Sequence, residues 1–199
     1  MINIPSNIKN IIFDLGGVIL DIDINSTYEA FLKIGLKKIR NNEMDNDFKS
    51  FIFAFEEGRI KKEEFLSKMS FFINNNTNSE DIYKAWNMML LQFPNKKIEF
   101  LKQIKPLYRT FLLSNTNIIH AEYYNNMLKN KHDINNLTDL FEKVYYSHEI
   151  GIRKPDPKAF NIVMDENNLK PKETLFVDDM KENIIAAENL GIKGLLYIN

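Results

Sequence analysis

The sequence predicts an α/β fold: a parallel sheet covered by helices on both faces, with a small helical unit inserted after the first strand. Three observations carry that expectation. Five short apolar runs rich in β-branched and aromatic residues recur along the chain, stretches with apolar residues spaced by three and four separate most of them, and the alternation fails between about residues 25 and 93. Unbroken apolar runs are the mark of strands buried on both faces, as in a parallel sheet between two helical layers.

The first run is Ile11-Ile12-Phe13. After it Val18, Leu20, Ile22 and Ile24 alternate with Ile19, Asp21 and Asp23, a period of two that predicts an extended segment with both acids on one face. Four helical stretches follow, roughly Thr27 to Ile39, Asp47 to Phe55, Lys62 to Ile73 and Ser79 to Leu91, with no strand expected among them. Their joints are polar: Asn41-Asn42-Glu43, Glu57-Gly58-Arg59 and Asn74-Asn75-Asn76-Thr77-Asn78. Beyond Phe93 the alternation resumes, with helices over Ile98 to Ile104, Ile118 to Leu128, Ala159 to Met164 and Ile184 to Leu190. The strands between and after them are Thr110 to Leu113, Val144 to Tyr146, Thr174 to Val177 and Leu195 to Ile198. Asp156-Pro157 supplies an N-cap acid before a proline at the first helical position, and Gly191 stops the last helix. Residues 1–24 and 94–199 are thus expected to form the α/β core, and residues 25–93 a helical cap.

A chain of 199 residues suits one core with an insertion better than two full domains. Acidic and basic residues nearly cancel, 27 against 26, so no basic field points to nucleic acid or to an anionic membrane. The absence of cysteine excludes a disulfide framework, a thiolate metal site and a cysteine nucleophile. Met1-Ile2-Asn3-Ile4-Pro5 lacks the pattern of a signal peptide, and no apolar stretch of about 18 residues offers a membrane span. A cytoplasmic location without nucleic-acid or membrane partners is expected, and nothing demands more than a monomer.

In open α/β sheets ligands gather outside the carboxyl ends of the strands, so the residues that close each run carry the functional signal. The first run ends in Asp14, the second in Ser114-Asn115-Thr116, the third leads to Arg153-Lys154-Pro155-Asp156, and the fourth ends in Asp178-Asp179. Each feature alone is an ordinary turn or a solvated charge. Together they put three carboxylates near one point, where they repel unless a cation sits among them, and an all-oxygen site that keeps water suits Mg²⁺. With Lys154, Ser114 and Asn115 neutralising a phosphoryl group, Asp14 can act as nucleophile and form an aspartyl-phosphate that water opens.

Ile11-Ile12-Phe13-Asp14-Leu15-Gly16-Gly17-Val18, Leu113-Ser114-Asn115-Thr116, Lys154-Pro155 and Phe176-Val177-Asp178-Asp179 resemble, in order, the four motifs of the haloacid dehalogenase-like hydrolase superfamily. Gly151-Ile152-Arg153-Lys154-Pro155-Asp156 and the stretch from Asp178 to Asn183 are similar to a branch that includes a bacterial α-D-glucose-1-phosphate phosphatase. The resemblance implies a Rossmann-like core with a helical cap, and a Mg²⁺-dependent phosphatase acting on a small phosphorylated metabolite such as a hexose 1-phosphate. It further implies Asp14 as nucleophile and metal ligand, the Gly16 carbonyl and Asp179 as further ligands, and Asp178 behind them or sharing the ion. Ser114, Asn115 and Lys154 would hold the phosphoryl oxygens.

One position departs from the pattern. Most phosphatases of the superfamily carry a second aspartate two residues after the nucleophile, as general acid and base, and here that position is Gly16. Loss of a general acid costs about 10²–10⁴ in rate, which predicts attenuated turnover and a preference for good leaving groups. Asp21 or Asp23 could supply the missing proton if their segment folds over the nucleophile. Two other readings stand beside the phosphatase: a binding or regulatory protein that kept the phosphate pocket, and a 2-haloacid dehalogenase, which has no use for Asp178-Asp179. Arg153 and Arg59 are weaker candidates for substrate contact that read first as surface charges, His120, His132 and His148 are too scattered for a metal or triad, and Trp86 with Met88, Met89 and Phe93 reads as the buried face of a cap helix.

Overall fold

The computed structural model describes residues 4–36, 46–73 and 77–198. The expected helix end at Ile39, the joint Asn41-Asn42-Glu43 and the asparagines Asn74 to Asn76 lie outside them. Five strands form one parallel sheet: β1 (Asn10–Phe13), β4 (Arg109–Ser114), β5 (Lys143–Tyr146), β6 (Thr174–Asp178) and β7 (Lys193–Leu196), in the order β5-β4-β1-β6-β7. Successive residues point to opposite faces, and the two faces of the sheet bury different clusters. Ile11, Phe13, Leu112, Leu175 and Val177 lie on one face, against α5 (Asn95–Ile104) and α6 (Ile118–His132). Ile12, Phe111, Leu113 and Phe176 lie on the other, against α8 (Pro157–Glu166) and α9 (Lys181–Asn189). The short helix α7 (Ser147–Ile150) follows β5 directly.

Register sets the level of the site. Phe13 pairs with Leu112 on one side and with Val177 on the other, so Asp14 and Asp178 leave their strands at the same height, with Ser114 one residue further on. The Asp14 N–H donates to the Val177 carbonyl at 2.8 Å, which extends the ladder by one bond past β1.

The insertion contains α1 (Ile24–Lys33), α2 (Asn46–Glu56), α3 (Lys62–Phe72) and α4 (Ser79–Asn87). Phe31, Phe55, Phe65, Met69, Ile82 and Trp86 bury one another in a cluster of their own, which Ile119 of α6 joins from the core. The Phe55 and Phe65 rings stack 4.0 Å apart at 13°.

Two expectations fail here. Leu90–Gln92 is a strand, β3, which pairs antiparallel with β2 (Asp21–Ile22), whereas the pattern predicts helix to Leu91 and no strand. The segments that leave and re-enter the core run side by side and satisfy each other's backbone, a tertiary reason that the continuing apolar run from Met88 to Leu91 does not reveal. The alternation from Val18 to Ile24 is not a continuous strand either. Val18, Ile19 and Leu20 are all buried, because a turn closes there, with the Ile19 and Leu20 N–H groups donating to the Leu15 carbonyl at 2.9 and 2.8 Å. The last strand begins at Lys193, two residues before its apolar run.

Candidate active site

Loops at the carboxyl ends of β1, β4 and β6 and the loop after α7 bring Asp14, Lys154, Asp178 and Asp179 together. Lys154 Nζ lies 2.5 Å from Asp14 Oδ1 and 2.7 Å from Asp178 Oδ2. It is 1% exposed and Asp178 0%, so an ammonium and two carboxylates share a site almost without water. Oxygens of Asp14, Asp178 and Asp179 all lie within 4.8 Å of one another.

The four groups differ in what else they touch. Asp178 Oδ1 accepts from the Met180 N–H at 2.7 Å and from Asn183 Nδ2 at 3.0 Å, and Oδ2 accepts from Asn183 at 3.1 Å as well as from Lys154. Both its oxygens are engaged by the protein. Asp14 accepts from Lys154 at Oδ1, and Asp179 is partly exposed. Gly17 lets Asp179 approach: its φ is +73°, and a Cβ there would sit 2.2 Å from Asp179 Oδ2.

Ser114, the last residue of β4, is buried at the same edge. The Asn115 side chain spans the Lys154 backbone, its Nδ2 donating to the Lys154 carbonyl at 2.8 Å and its Oδ1 accepting the Lys154 N–H at 2.9 Å. The amide expected to meet phosphoryl oxygens is thus engaged in holding the lysine. The Thr116 N–H donates to Ser147 Oγ at 2.9 Å, and Ser147 Oγ donates back to the Thr116 carbonyl at 2.9 Å, fixing the loops after β4 and β5 to each other.

Burial, with Asp178 and Asp179 adding to it, outweighs the pull of Lys154 and pushes the Asp14 carboxyl up to about 7. Burial alone would lower the Lys154 ammonium, but Asp14 and Asp178 hold it above its ordinary value. Asp179 is raised by burial and by Asp178. With all four charged, three carboxylates and one ammonium leave two negative charges unbalanced, a donor set and a charge that fit one divalent cation with oxygen ligands.

The sequence profile of haloacid dehalogenase-like hydrolases matches residues 8–191. The chain belongs to that family. It is 32% identical over 187 residues to a D-ribitol-5-phosphate phosphatase of Bacteroides thetaiotaomicron, covering 94% of this chain and 90% of that protein. A crystal structure of a family enzyme from the same organism, in complex with magnesium and inorganic phosphate, superposes with a TM-score of 0.84 at 34% identity, covering 95% of this chain and 93% of the other. A predicted family hydrolase from Porphyromonas gingivalis gives 0.85 at 32% identity, with 96% and 91% covered. The finer likeness expected, to an α-D-glucose-1-phosphate phosphatase, is replaced by the likeness to the ribitol-phosphate enzyme.

At Gly16, where the resemblance expects an acid, a side chain would press on its surroundings only slightly. A Cβ on Gly16 would sit 3.3 Å from Ile22 Cδ1, an apolar neighbour. Neither candidate replacement is spare. Asp21 is paired with Lys97 at 2.9 Å, and Asp23 caps α1, accepting from the Asn25 N–H at 3.0 Å and from Ser26 Oγ at 2.6 Å. The period-two reading put both acids on one face; helix capping and a half-buried ion pair took them instead.

The remaining candidates of the family member fall into structural places. Arg59 pairs with Glu57 on the surface of the insertion. Trp86 stacks on His120 with ring centres 5.1 Å apart, whereas Met88 is exposed and Met89 and Phe93 lie beyond the end of α4 and pack on the core, so the expected buried helix face holds for Trp86 only. Burial lowers the His120 imidazole to about 4, which keeps it neutral beside the indole. His132 meets the Phe93 carbonyl at 3.0 Å, and His148 the Thr116 carbonyl at 3.3 Å. Residue types alone do not reveal Ser147 as a tie between loops, nor Glu56, which meets Arg153 at 2.6 Å.

Proposed function

We propose that this hydrolase is a Mg²⁺-dependent phosphatase that cleaves a small sugar or polyol phosphate monoester through an aspartyl-phosphate on Asp14. The observation that carries the reading is Lys154 Nζ bridging Asp14 and Asp178 beside a third carboxylate. The names of its relatives, a ribitol-phosphate phosphatase and a magnesium and phosphate complex, support it.

Asp14 Oδ attacks phosphorus and the ester P–O bond breaks, leaving phosphate on Asp14 and an alkoxide that must gain a proton. Water then attacks the phosphorus, releasing inorganic phosphate and restoring the carboxylate. Lys154 offsets charge on the phosphoryl oxygens, and the buried hydroxyl of Ser114 contributes a donor at the same edge. Asp14, the Gly16 carbonyl and Asp179 would hold Mg²⁺, with Asp178 behind them. That ion supplies charge neutralisation at the transferring group. Asn115 holds the Lys154 backbone.

Two substrate classes compete. The relative's name points to a primary alkyl ester, D-ribitol 5-phosphate, while Gly16 favours an ester whose leaving group departs without a proton, such as a hexose 1-phosphate. Steady-state turnover of both, with and without Mg²⁺, in the wild type and in Asp14→Asn, tests the reading. Mg²⁺-dependent hydrolysis that Asp14→Asn abolishes is expected. Wild-type turnover no faster than the variant's supports a phosphate-binding protein, and release of halide from 2-haloacids without metal supports a dehalogenase.

A further inference from the structure

Two kinds of contact seat the insertion on the core. One is apolar and buried: Trp86 stacks on His120, its Nε1 donates to Asn117 Oδ1 at 3.3 Å, and Ile119 joins the insertion's cluster. The other is ionic and lies against the loop that carries Lys154. Glu56, the last residue of α2, accepts from Arg153 Nε at 2.6 Å, with side chains only 17% and 18% exposed. The Arg153 guanidinium carbon also lies 3.8 Å from the centre of the Phe53 ring. Next to it the turn of the insertion meets the core backbone to backbone, since a Cβ on Gly58 would sit 2.2 Å from the His148 carbonyl oxygen.

Arg153 immediately precedes Lys154. From the core side the Lys154 backbone is held by Asn115, at both its N–H and its carbonyl. From the other side the chain leading into it is held through Arg153 by Glu56 and Phe53, both residues of the insertion. We infer that the Glu56–Arg153 pair is the contact through which the seated insertion positions Lys154 between Asp14 and Asp178. Arg153 and Glu56 are positioning residues, and their catalytic meaning rests on the phosphatase reading above. The pair suits the task because a planar guanidinium donates through Nε and stacks on an aromatic face at once, which an ammonium does not. Removal of either partner leaves the other charge largely buried and uncompensated.

A second ion pair between insertion and core, Lys62 with Glu122, joins α3 to α6, neither of which carries Lys154, with side chains 31% and 43% exposed. It separates positioning from mere attachment. The test compares wild type, Glu56→Gln, Arg153→Gln, Arg153→Lys, the double variant E56Q/R153Q and Lys62→Gln. The readouts are kcat and KM, calorimetric binding of inorganic phosphate with Mg²⁺, and hydrogen exchange of the Lys154 amide. Glu56→Gln and Arg153→Gln are expected to lose kcat on the order of 10–100-fold, the range that follows a small misplacement of a catalytic group. Phosphate binding weakens, the Lys154 amide exchanges faster, the double variant is no worse than either single one, Arg153→Lys does not rescue, and Lys62→Gln matches the wild type. Wild-type kcat and phosphate affinity in Glu56→Gln overturn the inference, as does an equal loss in Lys62→Gln. If the wild type itself neither turns over nor binds phosphate, the phosphatase reading fails separately. The exchange rate in Glu56→Gln then decides, with an unchanged rate overturning the positioning role. Should Arg153→Gln not fold, Glu56→Gln, which keeps the side-chain volume, carries the comparison.

Discussion

Gly16 and Gly17 sit side by side after Asp14, the proposed nucleophile, and have opposite consequences. At Gly16 the usual acid is absent and Ile22 lies beside the position, while Asp21 and Asp23 are committed elsewhere. The rate is therefore expected to fall as the pKa of the leaving alcohol rises, measured as kcat/KM across aryl and alkyl phosphates; a flat dependence would reveal another acid. At Gly17 a methyl group would collide with the carboxylate of Asp179. Gly17→Ala is expected to weaken Mg²⁺ affinity about 10–100-fold by displacing that ligand, and an unchanged affinity in a metal titration would remove Asp179 from the ion's shell. The acids were legible in the sequence because they close apolar runs, and the lysine because the stretch after the third run leads to it. The roles of Asn115 and Asp23 were not, since a side chain that clamps a neighbouring loop or caps a helix uses the same residue types as one that binds substrate.

At the scale of elements, the attachment of α4 to α6 runs through a histidine held neutral. Burial keeps His120 at about 4, below its ordinary 6.5. A base with a depressed folded value contributes stability that is present above its unfolded value and is lost as pH falls through the folded one, so the loss spans pH 6.5 to about 4. The fluorescence of Trp86, the single tryptophan, stacked on that ring, should report undocking over this window, and His120→Gln should flatten the response. A response that persists in the variant would assign it to another group. Helix and strand types were read correctly where a helix had a legible start and a clear period, as in α8, or a strand an unbroken apolar run, as in β6. The β2–β3 ribbon escaped because two and three residues carry no period, and only the meeting of the two crossings creates it.

Across the whole molecule, strand register puts Asp14 and Asp178 at one height, and two loops carry Lys154 and Asp179 to them. The parallel sheet was readable from its unbroken apolar runs; the way the insertion reaches Lys154 was not, because Glu56 and Arg153 stand 97 residues apart and neither breaks a local pattern. The most direct test of the account uses a phosphate ester with a labelled phosphoryl group, reacted in a single turnover with Mg²⁺, quenched in acid and digested. Label on the peptide containing Asp14, and none in Asp14→Asn, is the predicted result. Turnover with no label on that peptide at any quench time, or label on another residue, would contradict it.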